Sequence, residues 1–357
     1  MTKAAELAKM GEVLTNSQIG GRRNIIINGA MQVAQRATSS TGIGGSSGYF
    51  TCDRWHMSPS GTAGRLTMTQ DSSAPSGFAN SIKLECTTAD TSIASSEFLL
   101  FTHKFEGQDV QSFAKGTSDA KQFSLSFYVK GNASATYVAE LMDEDNSNRH
   151  VNKSFSVTTD WTRVELLFPA DTTGTLDDDN ALSFSLNIWL HAGSDFTSGS
   201  LQTTWGALSQ TSRAVGISSF FSSRDNTFFI TGVQLEVGNQ ATPFEHRSFG
   251  EELKLCERYF KKIEVGNNTR ISTSAFADTT TRARFVIHHD PEMRQAPTLT
   301  EVNVDLDGQD LSAIATAGSN DLSEAIITRS SGSHSVNDII QVHTSSNTAT
   351  LDFDSEL

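Results

Sequence analysis

Residues 121–131 read KQFSLSFYVKG, with Phe123, Leu125 and Phe127 alternating with Ser124 and Ser126. On an extended chain successive side chains point to opposite sides. The two-residue period therefore puts three large apolar groups on one face and two hydroxyls on the other, as a half-buried strand requires. A helix would scatter the same residues around its circumference.

The pattern continues on both sides. NIIINGAMQVAQR (24–36) opens as an apolar run and then alternates, GRLTMTQ (64–70) alternates at Leu66 and Met68, and SIKLEC (81–86) at Ile82, Leu84 and Cys86. TRVELLFPA (162–170), ALSFSLNIWLHAG (181–193) and NTFFITGVQLEV (226–237) repeat it. Gly, Ser, Asp and Asn turns separate these runs, and no helix-length crossover lies between them, which predicts an antiparallel sandwich of jelly-roll type. The 22 Phe residues supply a core for it, although only 37% of residues are hydrophobic.

Four segments are expected in all. Residues 1–23 carry Leu7, Met10 and Leu14 on a helical stripe that needs copies of itself or another protein to cover it, a frayed tail being the other reading. The sandwich occupies 24–247. A linking helix fills 248–265, with Leu253, Cys256, Phe260 and Ile263 on one face for interdomain packing and Ser248 with Glu251 at capping-box spacing. A second, smaller β-sandwich occupies 266–357, so the chain is read as mainly β.

Charge narrows the partners. At a formal net charge of −14 the chain repels phosphate backbones, so nucleic acid is not expected. Three scattered cysteines, Cys52, Cys86 and Cys256, form neither a disulfide framework nor a CxxC zinc pattern, and reduced thiols are expected. The opening MTKAAELAKMGEV lacks a secretory apolar core, and no run reaches the ~20 apolar residues of a membrane span.

Motifs for chemistry are weak. GGSSG (44–48) has the letters of a nucleophile elbow but sits in a Gly/Ser loop without a following helix. DEDNSN (143–148) and DDD (177–179) offer Asp143, Asp145, Asp177 and Asp179 as oxygen ligands for Ca²⁺, without EF-hand spacing; solvated turns are the alternative, and no metal is assigned. Adjacent His288 and His289 point to opposite faces of a strand and cannot chelate together. No catalytic residue or cofactor is nominated. Trp205, flanked by polar turn residues, and Trp189, in an apolar run, are the candidate ligand-binding aromatics, with core packing as the competing reading.

Several segments together carry a resemblance. GGRRNIIINGAMQVAQR, CDRW, FSLSFYVKG, TTDWTRVEL and VQLEVGNQATPFEHRSFGEELKLCERYF, in this order over about residues 5–262, resemble tail-fibre and related virion structural proteins of short-tailed, T7-like bacteriophages, with a jelly roll like a carbohydrate-binding module. The resemblance implies a non-enzymatic homotrimer in the virion. Its N-terminus would attach to tail, adaptor or nozzle proteins, and its C-terminal region would contact a host surface glycan or outer-membrane receptor. It would need no membrane insertion, and the particles would be released by lysis. A glycan-cleaving tailspike and a structural adaptor without receptor role are the alternatives. In VQLEVGNQATPFEHR, Glu236 and Glu245 are expected to be fixed by backbone or Arg partners rather than by substrate.

Overall fold

The computed structural model describes Lys3 and residues 23–266, 270–306, 308–344 and 348–357. Leu7, Met10 and Leu14 lie outside the described residues. The chain divides into two compact units, Met1–Ser248 and Phe249–Leu357.

In the first unit the described strands are β1 (Ser39–Ile43), β2 (Gly48–Tyr49), β3 (His56–Ser60), β4 (Arg65–Asp71), β5 (Ser81–Thr88), β6 (Phe98–Glu106), β7 (Phe123–Gly131), β8 (Ala135–Asp143), β9 (Arg149–Val157), β10 (Thr162–Phe168), β11 (Leu182–Ala192) and β12 (Thr227–Val237). They form two six-stranded sheets, ordered β1-β4-β5-β12-β7-β10 and β2-β3-β6-β11-β8-β9. Every pairing is antiparallel. This is the jelly-roll-type sandwich that the two-residue periods demand.

The core lies between the sheets. Phe123, Leu125, Phe127 and Val129 of β7 are fully buried there, with Leu84 of β5, Phe101 of β6, and Phe184 and Leu186 of β11. Each such side chain contributes about 1.5–3 kcal/mol by leaving water. Aromatic rings interlock across it: Trp55 stacks on Phe101 at 4.6 Å, and Phe113 meets Phe123 edge-on at 4.4 Å. Ser124 and Ser126 are buried too. The segment after β12 crosses their face, so Ser124 Oγ donates to Gln240 O at 3.1 Å.

The segments at the two ends of this unit are tied together. Ile25 N donates to Leu235 O at 3.1 Å and Val233 N to Gly29 O at 2.9 Å. Asn24 Nδ2 donates to Val233 O at 3.1 Å, and its Oδ1 accepts from Ile26 N and Leu235 N. A Cβ on Gly29 would stand 2.2 Å from Val233 O, so that approach requires glycine. Glu245 Oε2 accepts from Arg23 N at 3.0 Å and Asn24 N at 2.6 Å, while both Glu236 oxygens are held by Thr242. Trp55 Nε1 donates to Asn28 O at 3.1 Å, and buried Arg54 donates to Lys104 O at 2.7 Å. The segments around Asn24 and Gln234–Glu245 are thus the fastenings of the sandwich.

The second unit departs from expectation in two ways. Its helix spans only Phe249–Glu257, directly after Ser248. Leu253 and Cys256 lie on it, but Phe260 and Ile263 belong to strand β13 (Phe260–Gly266). Antiparallel pairing with β21 (Thr348–Asp354), matching Phe260 to Asp354 and Ile263 to Leu351, outcompetes one more helical turn. β16 (Thr298–Val302) completes this three-stranded sheet. The other strands, β14 (Arg270–Ala277), β15 (Arg282–His288), β17 (Val304–Leu306), β18 (Gln309–Gly318), β19 (Leu322–Arg329) and β20 (Ile339–Thr344), close into a barrel ordered β14-β15-β19-β18-β17-β20. The expected small sandwich therefore takes the form of a closed barrel beside a short sheet, and closure removes free edges. Phe285, Leu306, Ile327, Val342, Leu351 and Phe353 anchor its core.

Candidate functional site

The second sheet of the sandwich turns residues such as Phe101, Leu141 and Leu186 into the core between the sheets. A line of polar residues lies on its other face, where Leu100, Val138 and Trp189 also form a small buried cluster with Phe196 and Ala214. Register fixes that line. Tyr49 on β2 faces His56 on β3, His56 faces Thr102 on β6, and Thr102 faces Asn187 on β11. Asn187 faces Glu140 on β8, which faces Asn152 on β9. One row of hydrogen-bonding side chains thus crosses all six strands, about 24 Å at the usual strand spacing of ~4.8 Å.

Glu140 anchors the row. It is fully buried, and its carboxylate receives Arg213 Nε at 2.8 Å, Arg213 Nη2 at 2.7 Å, Asn187 Nδ2 at 3.1 Å and Trp189 Nε1 at 3.2 Å. His150 Nδ1 lies 3.1 Å from Oε1. Burial alone would raise its pKa. The Arg213 charge and hydrogen bonds, with His150, overcome that and hold it at about 2. Asn187 also accepts from Thr102 Oγ1 at 2.9 Å. The segment carrying Arg213 leaves β11, forms α1 (Ser194–Thr197) and lies over β8 and β9, bonding His150 to Gly206 and Asn152 N to Gln202 O.

The end of the row on β2 and β3 differs. Tyr49, Ser58 and Lys104 are partly exposed. Tyr49 meets the His56 ring edge-on at 4.8 Å, and the Lys104 ammonium stands 6.0 Å from the Tyr49 ring. Burial, then the Lys104 charge, lowers the His56 pKa to about 4, so its imidazole is neutral at physiological pH. Beside the row, partly buried Glu144 accepts from Ser185 Oγ at 2.7 Å. Burial raises its pKa, and the neighbouring Glu140 charge adds to the effect. Aromatic, cationic, neutral and acidic groups thus converge on one sheet face.

Trp189 and Trp205 are placed differently from what a ligand platform needs. Trp189 is fully buried, with the Arg213 guanidinium 4.7 Å from its ring and Phe196 5.2 Å away. Trp205 is half-buried; its Nε1 donates to Pro169 O at 2.8 Å, and its ring is flanked by Lys115 at 5.4 Å and Phe184 at 6.0 Å. Both read as packing residues.

The acidic turns do meet, but a lysine sits where a cation would. Buried Lys115 forms a short ion pair with Asp143, stands 3.2 Å from Asp171 and donates to Thr173 O and Gly174 O. Arg149 adds two bonds to Asp171 at 2.9 and 3.0 Å. Asp145 accepts from Asp177 N at 2.9 Å, and Asp179 from Ala181 N at 2.9 Å. These carboxylates hold loops.

The sequence did not disclose Tyr49, His56, Thr102, Lys104 and Asn187 as a group. Thr102 and Asn187 are legible as outward positions interrupting apolar strands, but only the register of three pairings aligns the group.

No family model matches the chain, and no curated protein is similar to it in sequence. Solved structures offer likeness of architecture. A structure described as "CBM4 structure and function" is 9% identical with a TM-score of 0.32, covering 59% of this chain and 98% of its own. The family 11 carbohydrate-binding module of the cellulase Lic26A-Cel5E of Clostridium thermocellum is 12% identical with a TM-score of 0.29, covering 53% and 91% respectively. The enzymatically active domain of tailspike protein 4 of bacteriophage CBA120 is 13% identical with a TM-score of 0.30, covering 60% of this chain and 21% of that one. Likeness at this level says nothing of what the chain binds.

Proposed function

We propose that this chain is a non-enzymatic, receptor-binding fibre protein of a bacteriophage virion, whose sandwich holds a host surface glycan on the outer face of its second sheet. The observation that carries this reading is the partly exposed end of the polar row, Tyr49 with Ser58 and Lys104 beside neutral His56, whose buried remainder through Thr102 and Asn187 is fixed by Glu140. A site of this kind offers hydroxyl partners at set positions and a partly exposed ring against which an apolar sugar face can lie. Pre-ordered side chains also reduce the entropy lost on binding.

In this reading the chains form a homotrimer attached to the tail through their N-terminal segments. Weak single-site contacts gain strength by multivalency. Exposed apolar surface on the barrel supports a further contact: Phe276 and Ile339 are cross-strand partners, 47% and 73% exposed.

Tyr49→Ala and Lys104→Ala test the reading because both groups are partly exposed. Each should weaken binding of purified protein to host cells or extracted surface polysaccharide by about tenfold, a loss of ~1.4 kcal/mol, with Tm unchanged. Unchanged binding by both variants refutes the assignment to this face. Light scattering that finds a stable monomer at micromolar concentration refutes the trimer.

The tailspike alternative would need a free acidic pair. Glu140 is spent on its donors, which leaves Glu144 as the titratable carboxyl beside the row. Incubation with host polysaccharide should release no reducing ends; release abolished in Glu144→Gln would establish the enzymatic reading instead.

A further inference from the structure

Apart from the row, three buried side chains converge on a different part of the sandwich. Asp90 follows β5, Glu97 directly precedes β6, and His191 lies near the end of β11. Each offers one ligand atom, and the three atoms lie within 4.8 Å of one another. The residues are 5%, 7% and 0% exposed.

Two of these groups are unsatisfied. Glu97 Oε2 and His191 Nε2 are buried and make no hydrogen bond. They stand 3.6 Å apart, too long for a hydrogen bond. That separation is close to the edge of a tetrahedron around an ion with ligands at ~2.0–2.1 Å, which is about 3.4 Å. An orphaned acceptor beside a carboxylate in a buried place is destabilising unless something fills the gap.

The surroundings hold the three in place. Ser219 Oγ lies 2.8 Å from His191 Nδ1. A proton on Nδ1 donated to that hydroxyl leaves the Nε2 lone pair facing the carboxylates, which is how metal-binding histidines are oriented. The neutral ring is the form that ligates. Asp90 Oδ2 accepts from Thr62 Oγ1 and Ala63 N, both at 2.8 Å, and Oδ1 from Ser92 N at 3.3 Å. Gly193 N donates to Glu97 O at 2.8 Å. Neither carboxylate has a lysine or arginine ion pair among the described residues.

We propose that Asp90, Glu97 and His191 form a zinc site, with water as the fourth ligand. One imidazole and two carboxylates without a thiolate suit Zn²⁺, whereas the imidazole disfavours Ca²⁺ and Mg²⁺. The ion would neutralise the buried carboxylates and clamp the loop between β5 and β6 to the end of β11.

The test uses tag-free, full-length protein stripped with a chelator and titrated with ZnCl₂, read by calorimetry and by Tm. One tight equivalent per chain is expected, with a higher Tm that equimolar CaCl₂ or MgCl₂ does not reproduce. Glu97→Gln keeps the side chain's shape where Oε2 makes no hydrogen bond, so it should fold. Asp90→Asn keeps the shape but sets its amide against one of the donors that Asp90 accepts from, so its fold is checked by Tm in the absence of metal. Each should weaken zinc binding by about 100-fold, at or beyond the 10- to 100-fold that losing an outer partner costs. An X-ray absorption edge with only N/O ligands should accompany the wild-type ion. Absence of a zinc equivalent in wild type overturns the proposal, as does equal zinc binding by wild type and both variants.

Discussion

Arg213 grips Glu140 with two parallel hydrogen bonds, Nε to Oε1 at 2.8 Å and Nη2 to Oε2 at 2.7 Å, inside the sandwich unit. The pair joins the segment after β11 to β8, one strand in from the sheet's edge. It holds a carboxylate ionised where burial alone would protonate it.

That pair makes stability acid-sensitive. The folded pKa of Glu140 is depressed from 4.5 to about 2, so its contribution is complete above pH 4.5 and lost as pH falls toward about 2. Urea unfolding should show wild type losing stability across this window. Glu140→Gln should cost about 3–5 kcal/mol at pH 7, by leaving Arg213 buried without its anion, and should flatten the acid limb.

Lys115 should act as the resident cation of the acidic loops. Lys115→Met leaves Asp143 and Asp171 short of a buried partner and should cost about 3–5 kcal/mol. Millimolar Ca²⁺ should leave the wild-type Tm unmoved. A calcium-dependent rise in wild type would show that these loops bind the ion after all.

Gly29→Ala should loosen the fastening between the segments around Asn24 and Leu235. The added methyl meets Val233 O at 2.2 Å, so backbone must shift, at a cost of about 1–3 kcal/mol. Chemical denaturation checks the value, and an unchanged midpoint would contradict the close approach.

The three thiols should be unreactive in the native protein. Cys52, Cys86 and Cys256 are buried and none is in a disulfide. Burial, then the Asp53 charge, pushes the Cys52 thiol up, and burial also raises that of Cys86. A thiol-reactive dye should label them only after denaturation.

Much of the architecture was legible because its signal is local. The β7 alternation of Phe123, Leu125 and Phe127 with serines says strand wherever it occurs, and the three phenylalanine and leucine side chains are in the core. The helix after Ser248 was legible in its start but not its end. Leu253, Cys256, Phe260 and Ile263 keep helical spacing, yet FKKIEVG can also extend, and the partner that decides between these states is Thr348–Asp354, at the other end of the unit. The acidic turns were legible as turns, whereas Lys115, which neutralises them, is distant in sequence.

By itself the sequence determined the strands β4, β5, β7, β10, β11 and β12 and their inward faces, because periodicity acts over a few residues, although the run at residues 24–36 that it read the same way carries no strand. Tertiary structure alone decided that Trp189 is a buried partner of Glu140, that six side chains from six strands share one row, and that Asp90, Glu97 and His191 meet. Those outcomes depend on register and on which strands become neighbours, and such contacts form between residues whose separation along the chain leaves no local trace.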